Sequence, residues 1–208
     1  MELSEIKCFL KMFHCFFNRN SDRAALRFLY RNTTAFVLPP GEKAFHSESF
    51  LAGGNIIIVS SGLVNGFILE GDLKQTDIWL GTENSVFIWD KSQSPGVFNV
   101  ESIEQTLIFL MDLNEITTAC AIYPVLHGFL NNYIFARAIQ EVNRRNILFR
   151  LLEPLSKISR FKKDYPGLFE RLPEKLALSY LGICEEHIDR LKPLSSIWCE
   201  GAVFPLMN

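Results

Sequence analysis

The apolar positions near the start of the chain, Leu3, Ile6, Phe9, Leu10, Phe13, Phe16 and Phe17, recur at intervals of three and four. That period lines one face of a helix, so residues 1–20 predict an amphipathic helix, with a second, shorter one over 22–31. After Pro39-Pro40-Gly41 the pattern changes to short runs rich in Ile, Val, Phe and Trp, broken by Gly, Asn and Pro. Strands are predicted at 55–60, 64–70, 78–80, 85–89 and 106–112, and many short strands with such turns imply an antiparallel sandwich or jelly-roll barrel. Near residue 115 the helical period returns. Over 124–152, Leu126, Leu130, Ile134, Ala138 and Val142 fall every four residues, predicting a helix longer than the usual one of a small domain. Such a helix either packs along its own barrel or meets a two-fold-related copy of itself. Pro154 then suits a first helical turn that carries Leu155, Ile158 and Phe161 inward, and Tyr165-Pro166-Gly167 ends that helix. Pro173 opens another through Leu176, Ala177, Tyr180 and Leu181. With Gly182 in the turn and a short helix over 185–192, the outline is a helix-turn-helix.

The 208 residues are 48% hydrophobic, enough for one large domain or two small ones with real cores. A net charge of −2 means that any hold on nucleic acid rests on a local basic surface. Such a surface has a place: residues 1–136 hold 9 Lys+Arg against 14 Asp+Glu, while residues 137–192 hold 12 against 8. Two uncharged stretches of 21 residues, 49–69 and 116–136, have the length of a membrane span. The first is cut by Gly53, Gly54, Gly62 and Gly66 into strand-sized pieces, and the second holds Pro124, His127, Asn131 and Asn132, so neither reads as transmembrane. The opening Met1-Glu2-Leu3-Ser4-Glu5 places acids where a secretory signal has its basic segment. The expectation is a soluble, cytoplasmic protein without a membrane partner.

Five Cys at irregular spacing, with no Cys-x-x-Cys pair, point to a reducing compartment. No iron–sulfur or zinc spacing appears, and no cofactor is expected. His14 and Cys15, on an apolar helix, read as packing residues rather than metal ligands. No Gly-x-Ser-x-Gly elbow, phosphate-binding Gly-Lys-Ser/Thr loop, His-Glu-x-x-His or Gly-x-Gly-x-x-Gly is present, so nothing points to an enzyme.

The segment Asp164-Tyr165-Pro166-Gly167-Leu168-Phe169-Glu170-Arg171-Leu172-Pro173-Glu174-Lys175-Leu176-Ala177-Leu178-Ser179-Tyr180-Leu181-Gly182-Ile183, continued by Cys184-Glu185-Glu186-His187-Ile188-Asp189-Arg190-Leu191, resembles the helix-turn-helix of Crp/Fnr-type transcriptional regulators. Upstream, Ser60-Ser61-Gly62-Leu63-Val64 and Glu83-Asn84-Ser85-Val86-Phe87 resemble a turn and the following strand of the cyclic-nucleotide-binding-type barrel. The resemblance covers nearly the whole chain in order. It implies an α+β fold: residues 1–122 an N-terminal antiparallel jelly-roll sensor with helices before it, 123–153 a long dimerisation helix, and 154–208 a winged-helix-like DNA-reading domain. It also implies a homodimer on double-stranded DNA, a small-molecule effector, and RNA polymerase as a further partner. Gly182 would permit the turn, and Leu181, Ile183, Ile188 and Leu191 would pin the helices together. Glu186, His187, Asp189 and Arg190 would then face the major groove, Glu186 accepting from cytosine and Arg190 donating to guanine or phosphate. Lys192 and Lys175 complete the expected DNA-binding set, and Arg144, Arg145, Arg160, Lys162 and Lys163 are further phosphate candidates.

Two departures from the family pattern bear on mechanism. Where relatives grip a cyclic nucleotide with a Gly-Glu pair and an Arg, this chain reads Ile88-Trp89-Asp90 and Ser94-Pro95-Gly96-Val97-Phe98-Asn99. Between Ala44 and Ala136 only Lys74 and Lys91 are basic, so a phosphate buried there would be poorly compensated, and the effector is expected not to be a cyclic nucleotide. Phe87, Trp89 and Phe98 either line an apolar ligand pocket or form plain barrel core. In the reading head, Leu178 stands where relatives have a small residue, and Glu185 and Asp189 add negative charge, which weakens attraction to phosphates. The expectation is a homodimeric DNA-binding regulator. The alternative is a dimeric ligand-sensing or protein-interaction module that has lost DNA binding.

Overall fold

The computed structural model describes residues 2–18, 20–44, 54–69, 75–90 and 97–183. The chain forms two compact units, Met1–Arg145 and Asn146–Asn208.

The first unit opens with α1 (Leu3–Phe13), closed at its N-terminus by a capping box in which the Glu2 amide donates to Glu5 Oε2 at 2.6 Å. A tight 3-10 turn, His14–Phe16, leads on, and Asp22 precedes α2 (Arg23–Arg31). Eight strands follow: β1 (Thr33–Leu38), β2 (Lys43–Ala44), β3 (Gly54–Ser61), β4 (Val64–Leu69), β5 (Gln75–Gly81), β6 (Val86–Asp90), β7 (Val97–Ser102) and β8 (Thr106–Asp112). They pair into two antiparallel sheets, in the orders β1-β8-β3-β6 and β2-β7-β4-β5. Apart from the β4–β5 hairpin, each strand is followed by one in the other sheet, which is the winding of a jelly roll. Among the described residues the two sheets do not close into one barrel.

Strands β3 and β8 explain why their sequences are unbroken apolar runs. Alternate side chains of a strand face opposite ways. Ile57, Val59, Ile108 and Leu110 enter the core between the sheets, whereas Ile56, Ile58, Phe109 and Met111 enter a second core beneath the helices. Both faces are therefore buried. Strands β1, β2 and β7 were not predicted, because β1 lies at a sheet edge with only Thr33 and Leu38 buried, and β2 has two residues. Gly62, at φ +92°, turns the chain between β3 and β4, and a Cβ there would lie 2.6 Å from the Gln105 carbonyl oxygen. Only glycine fits.

Asp112 caps the next helix, α3 (Leu113–Ala119), its Oδ1 accepting from the amides of Asn114 at 2.7 Å and Glu115 at 2.9 Å. Then α4 (Val125–Phe129), a π-helical segment (Leu130–Phe135) and α5 (Ala136–Arg150) run without a break. The sequence predicts a uniform helix here, and the π segment is the difference. The wider π turn lets four of its neighbours, Phe129, Leu130, Tyr133 and Ile134, all reach the core, where Phe13, Phe16 and Phe17 stack on Phe129 and Tyr133 at 4.6–6.3 Å. Beyond it the apolar stripe leaves the core: Ile139 and Val142 are 59% and 55% exposed.

In the second unit, α6 (Pro154–Asp164) starts on Pro154 as predicted and is followed by Gly167 in the left-handed region. Next come α7 (Leu168–Arg171) and α8 (Glu174–Leu181). Phe161 is the hub of this core, its ring 5.1 Å from Tyr165, 6.1 Å from Phe169 and 6.0 Å from Tyr180.

Candidate nucleic-acid interface and sensor interior

Helix α8 ends in a glycine-closed turn. Gly182 takes φ +62°, its amide donates to the Ser179 carbonyl at 3.0 Å, and the Ile183 amide donates back to the Leu178 carbonyl at 2.9 Å. This paired closure is a Schellman motif, which glycine favours because it has no Cβ. Lys157 Nζ adds a donor to the Leu181 carbonyl at 2.9 Å, placing a cation on the negative end of the helix. Sequence reading missed Lys157, since its partner is 24 residues away. Leu178, the departure from the family pattern, is buried together with Ala177 and Leu181.

Of the expected DNA-binding residues, Lys175 lies exposed in the first turn of α8. Glu186, His187, Asp189, Arg190 and Lys192 lie outside the described residues, as do Glu185, Ile188 and Leu191. The other candidate phosphate contacts divide into two groups. Arg144 pairs with Glu141 at 3.5 Å, Arg145 Nη2 donates to the Asp77 carbonyl at 2.8 Å, Arg160 pairs with Asp164 at 2.6 Å, and Lys162 sits 4.7 Å above the ring of Phe169. These four have structural partners, whereas Lys163 and Lys175 project to solvent. Sequence alone cannot make that division, because partners such as Asp77 are distant in the chain.

Inside the jelly roll, Phe87, Trp89 and Phe98 do come together. Trp89 stacks on Phe98 at 4.7 Å, Phe98 on Phe87 at 4.9 Å, and Phe87 on Trp79 at 5.0 Å, all with interplanar angles below 30°. Trp79 was not anticipated. Its signal was the glycines beside it: Cβ atoms at Gly66 and Gly81 would lie 3.0 Å and 2.5 Å from the indole, so both strands give up a side chain to make room. The indole Nε1 is buried without a partner, which leaves a hydrogen-bond donor inside an otherwise apolar chamber. Asn65 and Asp77 are also buried, Asn65 Nδ2 donating to Asp77 Oδ1 at 2.6 Å and Gln75 Nε2 to the same oxygen at 2.8 Å.

Among the described residues, no three His, Cys, Asp or Glu side chains group as metal ligands. His14 and Cys15 are exposed rather than packed, because their positions on the 3-10 turn face away from the stripe. Cys120 is buried and burial pushes its thiol up. Tyr133 is likewise pushed up by burial, with Arg137 opposing weakly and the charge of Cys15 adding to it. Among the described residues, no helix is long and apolar enough to cross a membrane.

No protein-family sequence model matches the chain. No curated protein matches it in sequence. Solved structures do match in fold. A putative Crp/Fnr-family transcriptional regulator from Eubacterium rectale superposes with a TM-score of 0.62 at 12% identity, covering 88% of each chain. FixK2 from Bradyrhizobium japonicum gives 0.58 at 15%, covering 83% of this chain and 89% of that one. The c-di-GMP-responsive global regulator CLP of Xanthomonas campestris gives 0.58 at 14%, covering 88% and 96%. A jelly roll, a long helix and a helical unit ending in a glycine-closed turn thus occur here in the same order, and the chain has the fold of the Crp/Fnr transcriptional regulators.

Proposed function

We propose that this chain is a homodimeric, DNA-binding transcriptional regulator of Crp/Fnr type. Residues 1–122 act as a sensor for something other than a cyclic nucleotide, 123–153 join two copies, and 154–208 read DNA. The observation that supports the reading is the Schellman-closed end of α8 at Gly182, the residue that the family resemblance puts in the turn of a helix-turn-helix. Ile139 and Val142, exposed three residues apart on α5, supply the apolar stripe that a second copy would cover.

The sensor assignment is supported by chemistry. No Lys or Arg lies in residues 54–69, 75–90 or 97–136, while four aromatic rings stack between the sheets. A phosphate among them would lack a counter-charge. An apolar effector with one hydrogen-bond acceptor suits the Trp79 donor, and it gains access by displacing a ring. DNA reading falls to Glu186, His187, Asp189, Arg190, Lys192 and Lys175, with Lys163 as a further phosphate contact.

A gel-shift titration against promoter fragments at low and moderate salt tests the proposal. Binding that weakens steeply with salt supports it, and absent or salt-insensitive binding refutes it. Arg190→Ala should cost about 1 to 3 kcal/mol of specific affinity. An unchanged operator affinity removes Arg190 from the reading set.

A further inference from the structure

The first unit has a groove that neither DNA reading nor the aromatic chamber uses. It lies where the end of α1 and the His14–Phe16 turn meet the start of α2, and is lined by Leu10, Lys11, His14, Asn18, Arg23 and Leu26. It is an open surface groove of about 470 Å³.

The walls are held in place by the turn. The Asn18 amide donates to Asp22 Oδ2 at 2.8 Å, and the Asp22 amide donates to the Asn18 carbonyl at 2.9 Å. His14 Nδ1 donates to the carbonyls of Leu10 at 2.8 Å and Lys11 at 3.2 Å, which fixes the ring and leaves Nε2 to meet a ligand. Lys11 and Arg23 form no ion pair among the described residues. The nearest acid in sequence, Asp22, already accepts from the Asn18 amide and, at 3.1 Å, from Ser21 Oγ. Helix α2 has Asp22 at its N-cap and begins on Arg23, with no further acid in its first turn. Leu10, 42% exposed, and half-buried Leu26 give the same groove an apolar wall.

We propose that this groove binds an amphipathic carboxylate. Arg23, with its planar fork, and Lys11 hold the carboxylate, and Leu10 and Leu26 cover the hydrocarbon. An inorganic phosphate would leave the apolar wall wet, and an alcohol would leave both cations unpaired. The inference stands apart from the DNA-binding reading, since every residue it uses lies between Leu10 and Leu26.

The test is calorimetric titration of the full chain with octanoate, with octanol and inorganic phosphate as comparators. Octanoate should bind at one site and raise Tm, and its affinity should exceed that of hexanoate by about fourfold per methylene. Arg23→Gln and Lys11→Gln should each weaken it about tenfold or more, with circular dichroism unchanged because both side chains are exposed. Leu10→Asn should reduce the gain per methylene. No octanoate binding, octanol binding as tightly as octanoate, or unchanged affinity in both charge variants would overturn the proposal. Displacement of octanoate by an equal concentration of phosphate would overturn the amphipathic assignment.

Discussion

Replacing Phe13 by Ala removes a ring that is fully buried where the N-terminal helix meets the sheet. The ring lies 4.8 Å from Phe9 and 5.6 Å from Phe129, both edge-to-face, and within about 6 Å of Phe109 and Tyr133. Truncating a buried Phe to Ala costs about 3–5 kcal/mol through lost transfer energy and the cavity left behind. Three edge-to-face pairs, with Phe9, Phe129 and Tyr133, each worth about 0.5–1.5 kcal/mol beyond area, place Phe13 at the upper end of that range. A native domain has only about 5–15 kcal/mol in total, so the loss is a large fraction of it. With a urea slope of about 2 kcal/mol/M, the midpoint should fall by about 2 M. Trp fluorescence in a Trp198→Phe background reads this cleanly, because Trp79 and Trp89 then remain as reporters within the same unit as Phe13. Leu3→Ala is the control: the residue is 70% exposed, and its midpoint should move by less than about 0.25 M. A Phe13→Ala shift below about 0.5 M would refute the claim that α1 belongs to the cooperative core.

Tyr133→Phe removes a buried hydroxyl that has no partner, so Tm at neutral pH should hold or rise slightly. Burial raises the Tyr133 pKa above its ordinary value of 10.0, so the folded state keeps a proton that the unfolded state loses. That stability is fully present below pH 10.0 and is lost as pH rises through the higher folded value; the Phe variant should therefore show a shallower alkaline decline, and an identical one would sink the argument. Gly62→Ala should cost more than about 2 kcal/mol, because φ is +92° and the new methyl meets backbone atoms of Gln105 and Thr106 that cannot step aside; an unchanged Tm contradicts it. If residues 123–153 join two copies, as proposed, Val142→Glu combined with Ile139→Glu should bring the mass by light scattering down to that of one chain with the melting of the sheets unaltered, and an unchanged mass would refute that interface.

What could be read in advance follows from which features are local. Pro154 at the start of α6 and Gly182 at the end of α8 are each set by a residue's own backbone, and the structure has them where the sequence predicts; the amphipathic helix expected over residues 1–20 is present but ends at Phe13, and a 3-10 turn, His14–Phe16, follows it. Strands β3, β4 and β8 were legible because their apolar runs end at turn residues. Strands β1 and β7 were not, since an edge strand with one wet face, or a strand punctuated by Asn99 and Glu101, has no clear run to detect. The π segment was hidden for another reason: nothing in Leu130–Phe135 departs from helical composition, and the rings packed on its Tyr133, Phe13 and Phe16, come from more than a hundred residues earlier.

The same division governs the site. Module order is a property of sequence pattern, so the fold of the transcriptional regulators was legible in it. Whether a given cation serves DNA is a tertiary property: Arg145 and Lys175 look alike in sequence, yet one donates to the Asp77 carbonyl across the unit and the other projects to solvent. Drawing the Arg145 guanidinium off to a phosphate would break its hydrogen bond to the Asp77 carbonyl, at a cost of about 0.5–1.5 kcal/mol. Phosphate contacts are therefore expected from the exposed Lys163 and Lys175, and the salt dependence of DNA binding should drop by about one contact in Lys163→Gln or Lys175→Gln and remain unchanged in Arg145→Gln.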